Sequence, residues 1–145
     1  MATVRDILAK KGSHVQTVGP DATVMDAATL MNDHKIGSLV VLDHGHVVGM
    51  FTERDVLQRV VGQRFDPMTT KVREVMTSEV VVCRPETTIE EVRGSMLNRR
   101  IRHLPVLDRD NNLIGMISIG DLNTLLAMDQ EQTIHLLQEY MFGRV

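Results

Sequence analysis

The chain contains no tryptophan, one tyrosine and three phenylalanines, so aromatic residues make up only 3% of it. Such a surface offers little for stacking the bases of a single strand. Charge argues the same way: 16 Lys and Arg against 19 Asp and Glu leave a net −3, whereas a phosphate backbone is held by a basic face. A single cysteine, Cys83, excludes an internal disulfide framework and suits a reducing compartment. No apolar run is long enough for a bilayer, and no secretory leader pattern is found. A soluble cytoplasmic protein without nucleic-acid or membrane partners is therefore expected.

What is present is globular in character. Hydrophobic residues are 43% and charged residues 24% of 145 positions, which suits one compact unit or two small halves sharing a core. The ten methionines read as flexible core filler.

Internal repetition organises the chain. At an offset of 65, residues 15–43 fall on 80–108, and Val15, Pro20, Thr23, Met31, Ile36, Leu39, Val41, Leu42 and Asp43 recur as the same type. The offset becomes 66 after the following turn, where "GMFTERDV" (49–56) faces "GMISIGDL" (115–122). The lead-in repeats as well, "VRDIL" at 4–8 and "VREVM" at 72–76. The expected division is residues 1–65, 66–127 and a helical tail, 128–145.

Each copy predicts β-α-β-β-α. A β-rich run ("HVQTV", "EVVVC") reaches a proline and a helix start at Thr23 or Thr88, with Asp26 or Glu91 three residues on as a capping box. Val24, Ala27, Ala28 and Met31, or Ile89, Val92 and Met96, mark the buried stripe. Two apolar runs around a Gly- or Asn-rich turn form a hairpin. A helix from Glu53 or Ile119 closes the unit, with Val56, Leu57 and Val60, or Leu122, Leu125 and Leu126, on one face. One such unit has too little core to stand alone, so two should pack about an approximate two-fold axis. The expected class is α/β (α+β).

With "VREVMT", "PETTIEEV", "HLPVLD" and the Gly-apolar-apolar-Ser/Thr-x-x-Asp motif in place, the chain resembles a tandem pair of CBS (cystathionine β-synthase) domains, the Bateman module, over residues 2–127. "TERDVLQRVV" is similar to stand-alone bacterial members that carry no catalytic domain. The resemblance implies a sensor for adenosine-containing ligands (AMP, ADP, ATP, NAD or S-adenosylmethionine), assembled as a homodimer and acting on a separate regulated protein.

The resemblance also places a ligand. Gly49 and Gly115, lacking Cβ, would let a flat base approach the backbone. Thr52 and Ser118 put hydroxyls at a helix N-terminus, where phosphate is favoured. Asp55 and Asp121 are acceptor-only and suit ribose hydroxyls. Lys35, Gly37 and Ser38 in copy one, and Arg102, His103 and Pro105 in copy two, fall on the segment that lines the family's cleft. Arg54 adds a positive charge that Gly120 does not match. Thr17, Val18, Val82 and Cys83 lie in the segments that would flank adenine. The same residues admit a plainer reading, since Thr52-x-x-Asp55 and Ser118-x-x-Asp121 are capping boxes in their own right. Arg99 and Arg100 read as a solvated helix end favoured by the dipole.

Other chemistry is thinly represented. "HGH" at 44–46 suits a solvated turn better than a metal site, and Cys83 lies in an apolar strand as buried filler. No nucleophile–base set, Walker loop or dinucleotide fingerprint occurs, so no enzyme is expected. Leu125, Met128, Ile134, Leu137, Tyr140 and Met141 give the tail an amphipathic face, for a second subunit to cover. The competing function is a ligand-free scaffold whose repeats build a dimerisation surface.

Overall fold

A computed structural model describes residues 1–142, with side chains for 1–127, 134, 137 and 138. The order is α1 (Val4–Lys11), β1 (Thr17–Val18), α2 (Val24–His34), β2 (Ser38–Asp43), β3 (His46–Thr52) and α3 (Glu53–Asp55), which runs into a π-helix (Val56–Val61). Then come α4 (Val72–Val75), α5 (Ile89–Arg99), β4 (His103–Leu107), β5 (Leu113–Ser118) and α6 (Ile119–Phe142). The α/β reading holds, and the repeat is visible down to its irregularities. Both hairpins shift register at matching positions, between Val41 and Leu42 and between Val106 and Leu107. Both repeat helices end on a left-handed residue, Lys35 at φ 54 and Arg100 at φ 54.

The first strand differs between copies. β1 pairs in parallel with β2, Thr17 to Val40 and Val18 to Val41. In copy two the expected strand "EVVVC" is reduced to one parallel bridge, Cys83 to Val106. Val40 N–H donates to the Gln16 carbonyl at 3.3 Å, while Pro105, which occupies the matching place in β4, has no N–H to give. One ladder bond is lost, and the strand with it.

The lead-ins cross over. Val4 and Ile7 of α1 pack with Ile89, Val92, Met96, Leu104, Val106, Ile117 and Leu122, which is the core of copy two. Val72 and Val75 of α4 pack with Val24, Ala27, Met31, Leu39, Val41 and Phe51, the core of copy one. Backbone bonds repeat this exchange pair by pair. Val4 N–H reaches the Thr87 carbonyl and Val72 N–H the Ala22 carbonyl, at 2.9 and 2.8 Å. Arg5 N–H reaches the Pro85 carbonyl and Arg73 N–H the Pro20 carbonyl, both at 2.9 Å. Two cores, each completed by the other copy's lead-in, supply the shared burial that neither half has alone.

One expectation about helices changes and one holds. The segment after Thr52 is helical but widens to i→i+5 bonding at Val56–Val61. The wider turn alters which side chains share a face: Val60 is buried, whereas Leu57 is 65% exposed. The tail continues the last repeat's helix as expected, α6 running without a break from Ile119 to Phe142. Leu125 packs on the copy-two core, while Ile134 and Leu137 are exposed; the side chains of Met128, Tyr140 and Met141 lie outside the described residues. Among the described residues, no helix is long and apolar enough to cross a membrane.

Candidate functional site

Both Ser/Thr-x-x-Asp motifs form at a strand-to-helix junction. Thr52 ends β3 and caps α3: its Oγ1 accepts from Asp55 N–H at 3.2 Å, and Asp55 Oδ2 accepts from Thr52 N–H at 3.0 Å. Ser118 and Asp121 repeat the exchange at 3.2 and 2.8 Å. The first N–H of each helix is already used, Glu53 N–H on the Gly37 carbonyl and Ile119 N–H on the Arg102 carbonyl. Capping is therefore real at both motifs, and any ligand must use what capping leaves over.

At the junction of the copies lies a cleft of about 640 Å³, within the roughly 300–1,000 Å³ typical of small-molecule sites. It takes Gly37, Thr52, Arg54, Asp55, Arg102, His103 and Ser118 from the residues expected above. It also takes Glu53, Gln58, Arg59, Thr77, Glu79, Val80, Val81 and Arg100, among others. Four arginines, Arg54, Arg59, Arg100 and Arg102, and three acidic residues, Glu53, Asp55 and Glu79, line it. Arg100, taken in the sequence for a solvated helix end, thus lines the cleft, while its counterpart Lys35 does not.

The other expected residues lie apart from this lining. Thr17 and Val18 are β1 itself, and Ser38 opens β2 and is 5% exposed. Pro105 sits within β4 opposite Met116, and Val82 adjoins the lining residues Val80 and Val81. Gly49 and Gly115 are closely packed by the chain itself. A Cβ on Gly49 would stand 2.5 Å from Met76 Sδ and 2.9 Å from the Thr77 carbonyl oxygen. A Cβ on Gly115 would stand 2.6 Å from Leu8 Cδ2. Close approach is what these glycines permit, and in the Cβ direction the chain's own crossed lead-ins make it.

Asp55 is 5% exposed and well partnered. Thr77 Oγ1 donates to its Oδ1 at 3.2 Å, and Arg59 Nε lies 3.6 Å from the same oxygen. Arg59 also donates to the Met76 carbonyl at 2.9 Å. Sequence reasoning passed over Arg59, although its i,i+4 spacing from Asp55 was a readable signal. Thr77 and Glu79 carried no such signal; only the crossed lead-in brings them here.

Asp121 is elsewhere, on a pocket of about 130 Å³ beside Asp6, Ile7, Lys10 and Lys11. Burial alone would raise its carboxyl, but the hydrogen bond and charge of Lys11, with bonds from Ser118, hold it below the usual carboxylate value. His103 is pushed down, first by burial, then by Arg102 and Lys11, against the opposing pull of Asp121 and Glu53. The shift favours its neutral form, which can still offer a hydrogen bond in the cleft. Burial lifts the Cys83 thiol to about 11, so it is inert. His44 sits on the β2–β3 turn with its Nδ1 2.8 Å from Asp43.

Two interlocked repeats, β-α-β-β-α in the first and the same unit with its first strand cut to a single bridge in the second, surround a charged junctional cleft and define a paired-repeat module. The family model for the CBS domain matches residues 3–62 and 72–127, and the chain belongs to the CBS-domain family. It is 38% identical over 122 residues to the CBS domain-containing protein YhcV of Bacillus subtilis, covering 84% of each chain. The CBS-domain containing protein ATU1752 of Agrobacterium tumefaciens superposes with a TM-score of 0.79 at 41% identity, over 85% of this chain and 97% of that one. The CBS domain pair of protein MJ0100, in complex with 5′-methylthioadenosine and S-adenosyl-L-methionine, gives a TM-score of 0.79 at 25% identity, over 89% and 98%.

Proposed function

We propose that this protein is a non-catalytic regulatory module that binds an adenosine-containing ligand in the junctional cleft. Ligand state would be passed to a separate regulated protein in the cytoplasm by moving the copies relative to each other. The observation that carries this reading is the 640 Å³ cleft with Thr52, Asp55 and four arginines on its wall. Asp55 offers acceptors for ribose, and the arginines offer bidentate donors for phosphate. That chemistry favours AMP, ADP, ATP or NAD over the sulfonium cation of S-adenosylmethionine. Charge-assisted bonds at about 1.5–3 kcal/mol each, less the cost of association, correspond to roughly micromolar affinity. Any switching requires the ligand to contact the two states differently.

The exposed Leu57, Val61, Phe65 and Met68, each more than half accessible, form the surface we assign to a second copy in a homodimer. A ligand-free scaffold is the second reading, favoured by Asp55 already being satisfied by Thr52, Thr77 and Arg59.

A thermal-shift panel of AMP, ADP, ATP, NAD and S-adenosylmethionine decides between them. A ligand that binds only the folded state adds about 2.7 kcal/mol at a hundredfold excess over Kd. We expect a clear rise for a phosphate-bearing ligand, lost in Asp55→Asn, which keeps the cap. A flat response from nucleotide-free protein leaves the scaffold in its place.

A further inference from the structure

We propose that Lys11 is a built-in plug for the second motif, so that each chain takes one nucleotide, at Asp55, and not two. This rests on the adenosine-ligand reading of the cleft. The motifs are alike in sequence and in capping, as the paired bonds at Thr52–Asp55 and Ser118–Asp121 show. The neighbours that the crossed lead-ins bring to them are not alike.

At the first motif the lead-in contributes a neutral group. Thr77 pairs by its backbone with Met50, N–H to carbonyl in both directions at 2.9 Å, and its hydroxyl donates to Asp55. At the second motif the strand residue matching Met50 is Met116. Its carbonyl accepts not from backbone but from Lys11 Nζ at 2.9 Å. The same ammonium lies 2.8 Å from Asp121 Oδ2. One cation thus ties the strand edge and the carboxylate to α1. Leu8, packed on the bare Cα of Gly115, seats α1 in that position.

The consequence for a ligand is twofold. Asp121 faces about 130 Å³, well below the roughly 300 Å³ at which small-molecule sites begin. A ribose hydroxyl would also have to replace an ammonium, trading a charge-assisted bond for a weaker one. Arg59 does not plug Asp55 in the same way. At 3.6 Å it makes no hydrogen bond to the carboxylate, and it is itself part of the cleft wall.

Isothermal titration with AMP across four chains tests the plug: wild type, Lys11→Met, Asp55→Asn and the double variant. Methionine keeps the apolar stem and removes the charge; Lys11→Gln is the second replacement should Lys11→Met alter the fold by circular dichroism. The expected stoichiometries are one AMP per chain in wild type, two in Lys11→Met, none in Asp55→Asn and one in the double variant. Two sites in wild type overturn the proposal. So does a double variant that binds AMP no better than Asp55→Asn, with Lys11→Met no better than wild type. Wild type that binds no AMP counts against the adenosine reading of the first cleft alone, because a site gained on removing Lys11 still establishes the plug.

Discussion

Asp55 and Asp121 occupy the same place in two copies of one motif, and only their neighbours differ. Asp55 looks into a large cleft and is held by a hydroxyl, with a guanidinium in reach. Asp121 looks at a lysine. Repeats that share a fold need not share a site, because each motif is finished by the lead-in of the other copy. The two lead-ins differ in chemistry more than in packing: Val4 and Val72 do the same work in the two cores, while Thr77 and Lys11 do different work at the two carboxylates.

The largest effect that separates the copies is expected at the two strand glycines. A Cβ at Gly49 would meet the Thr77 carbonyl oxygen, a backbone atom, at 2.9 Å. A Cβ at Gly115 would meet only the flexible end of Leu8. Overpacking costs about 1–3 kcal/mol. Gly49→Ala is expected near 3 kcal/mol and Gly115→Ala near 1 kcal/mol in urea unfolding. Equal costs would show that α1 is seated as rigidly as α4 and would remove the difference.

Caps come next. Thr23 and Thr88 both accept from the N–H three residues on, at 3.0 and 3.1 Å, and each Thr→Ala is expected to cost about 1 kcal/mol. The return bond is a feature of copy one, where Asp26 Oδ2 accepts from Thr23 N–H at 3.3 Å. Asp26→Ala should therefore cost about 0.5 kcal/mol and Glu91→Ala next to nothing by thermal unfolding. A measurable loss at Glu91 would restore the symmetry that the sequence pattern promises.

Much of this was legible in the sequence, for a physical reason. Local rules act over three or four residues, and the offsets of 65 and 66 carry them into both copies. Thr23, Thr52, Thr88 and Ser118 thus announced their helices. Hairpins and core stripes followed from periodicity in the same way. The cleft was legible only in part. Gly37, Thr52, Arg54, Asp55, Arg102, His103 and Ser118 line it, yet Thr77, Glu79 and the plug at Lys11 were silent. Lys11 reaches Asp121 across 110 positions, and a contact of that range has no periodic signature. Pro105 erased a strand that its neighbours' propensities called for, because one missing N–H matters only when the partner strand is known. The π-helix, likewise, follows from nothing that apolar spacing records.

The smallest effect is the most specific to Lys11. Its partner Asp121 has its carboxyl held below the ordinary 3.8, burial opposing and the Lys11 bond and charge favouring the ionised form. A depressed carboxylate contributes stability that is present above about pH 4 and is lost as pH falls through the folded-state value. The ion pair is partly exposed on both sides, 33% at Lys11 and 21% at Asp121, so its share is about 0.5–1 kcal/mol at most. Wild type should therefore exceed Lys11→Met by that amount at pH 7 in urea unfolding. The gap should narrow as pH falls below about 4, and it should shrink in high salt at neutral pH. A gap that keeps its size from pH 7 to pH 2 would mean that Lys11 acts through its packed methylenes, and the charge would then have no part in setting the second repeat apart from the first.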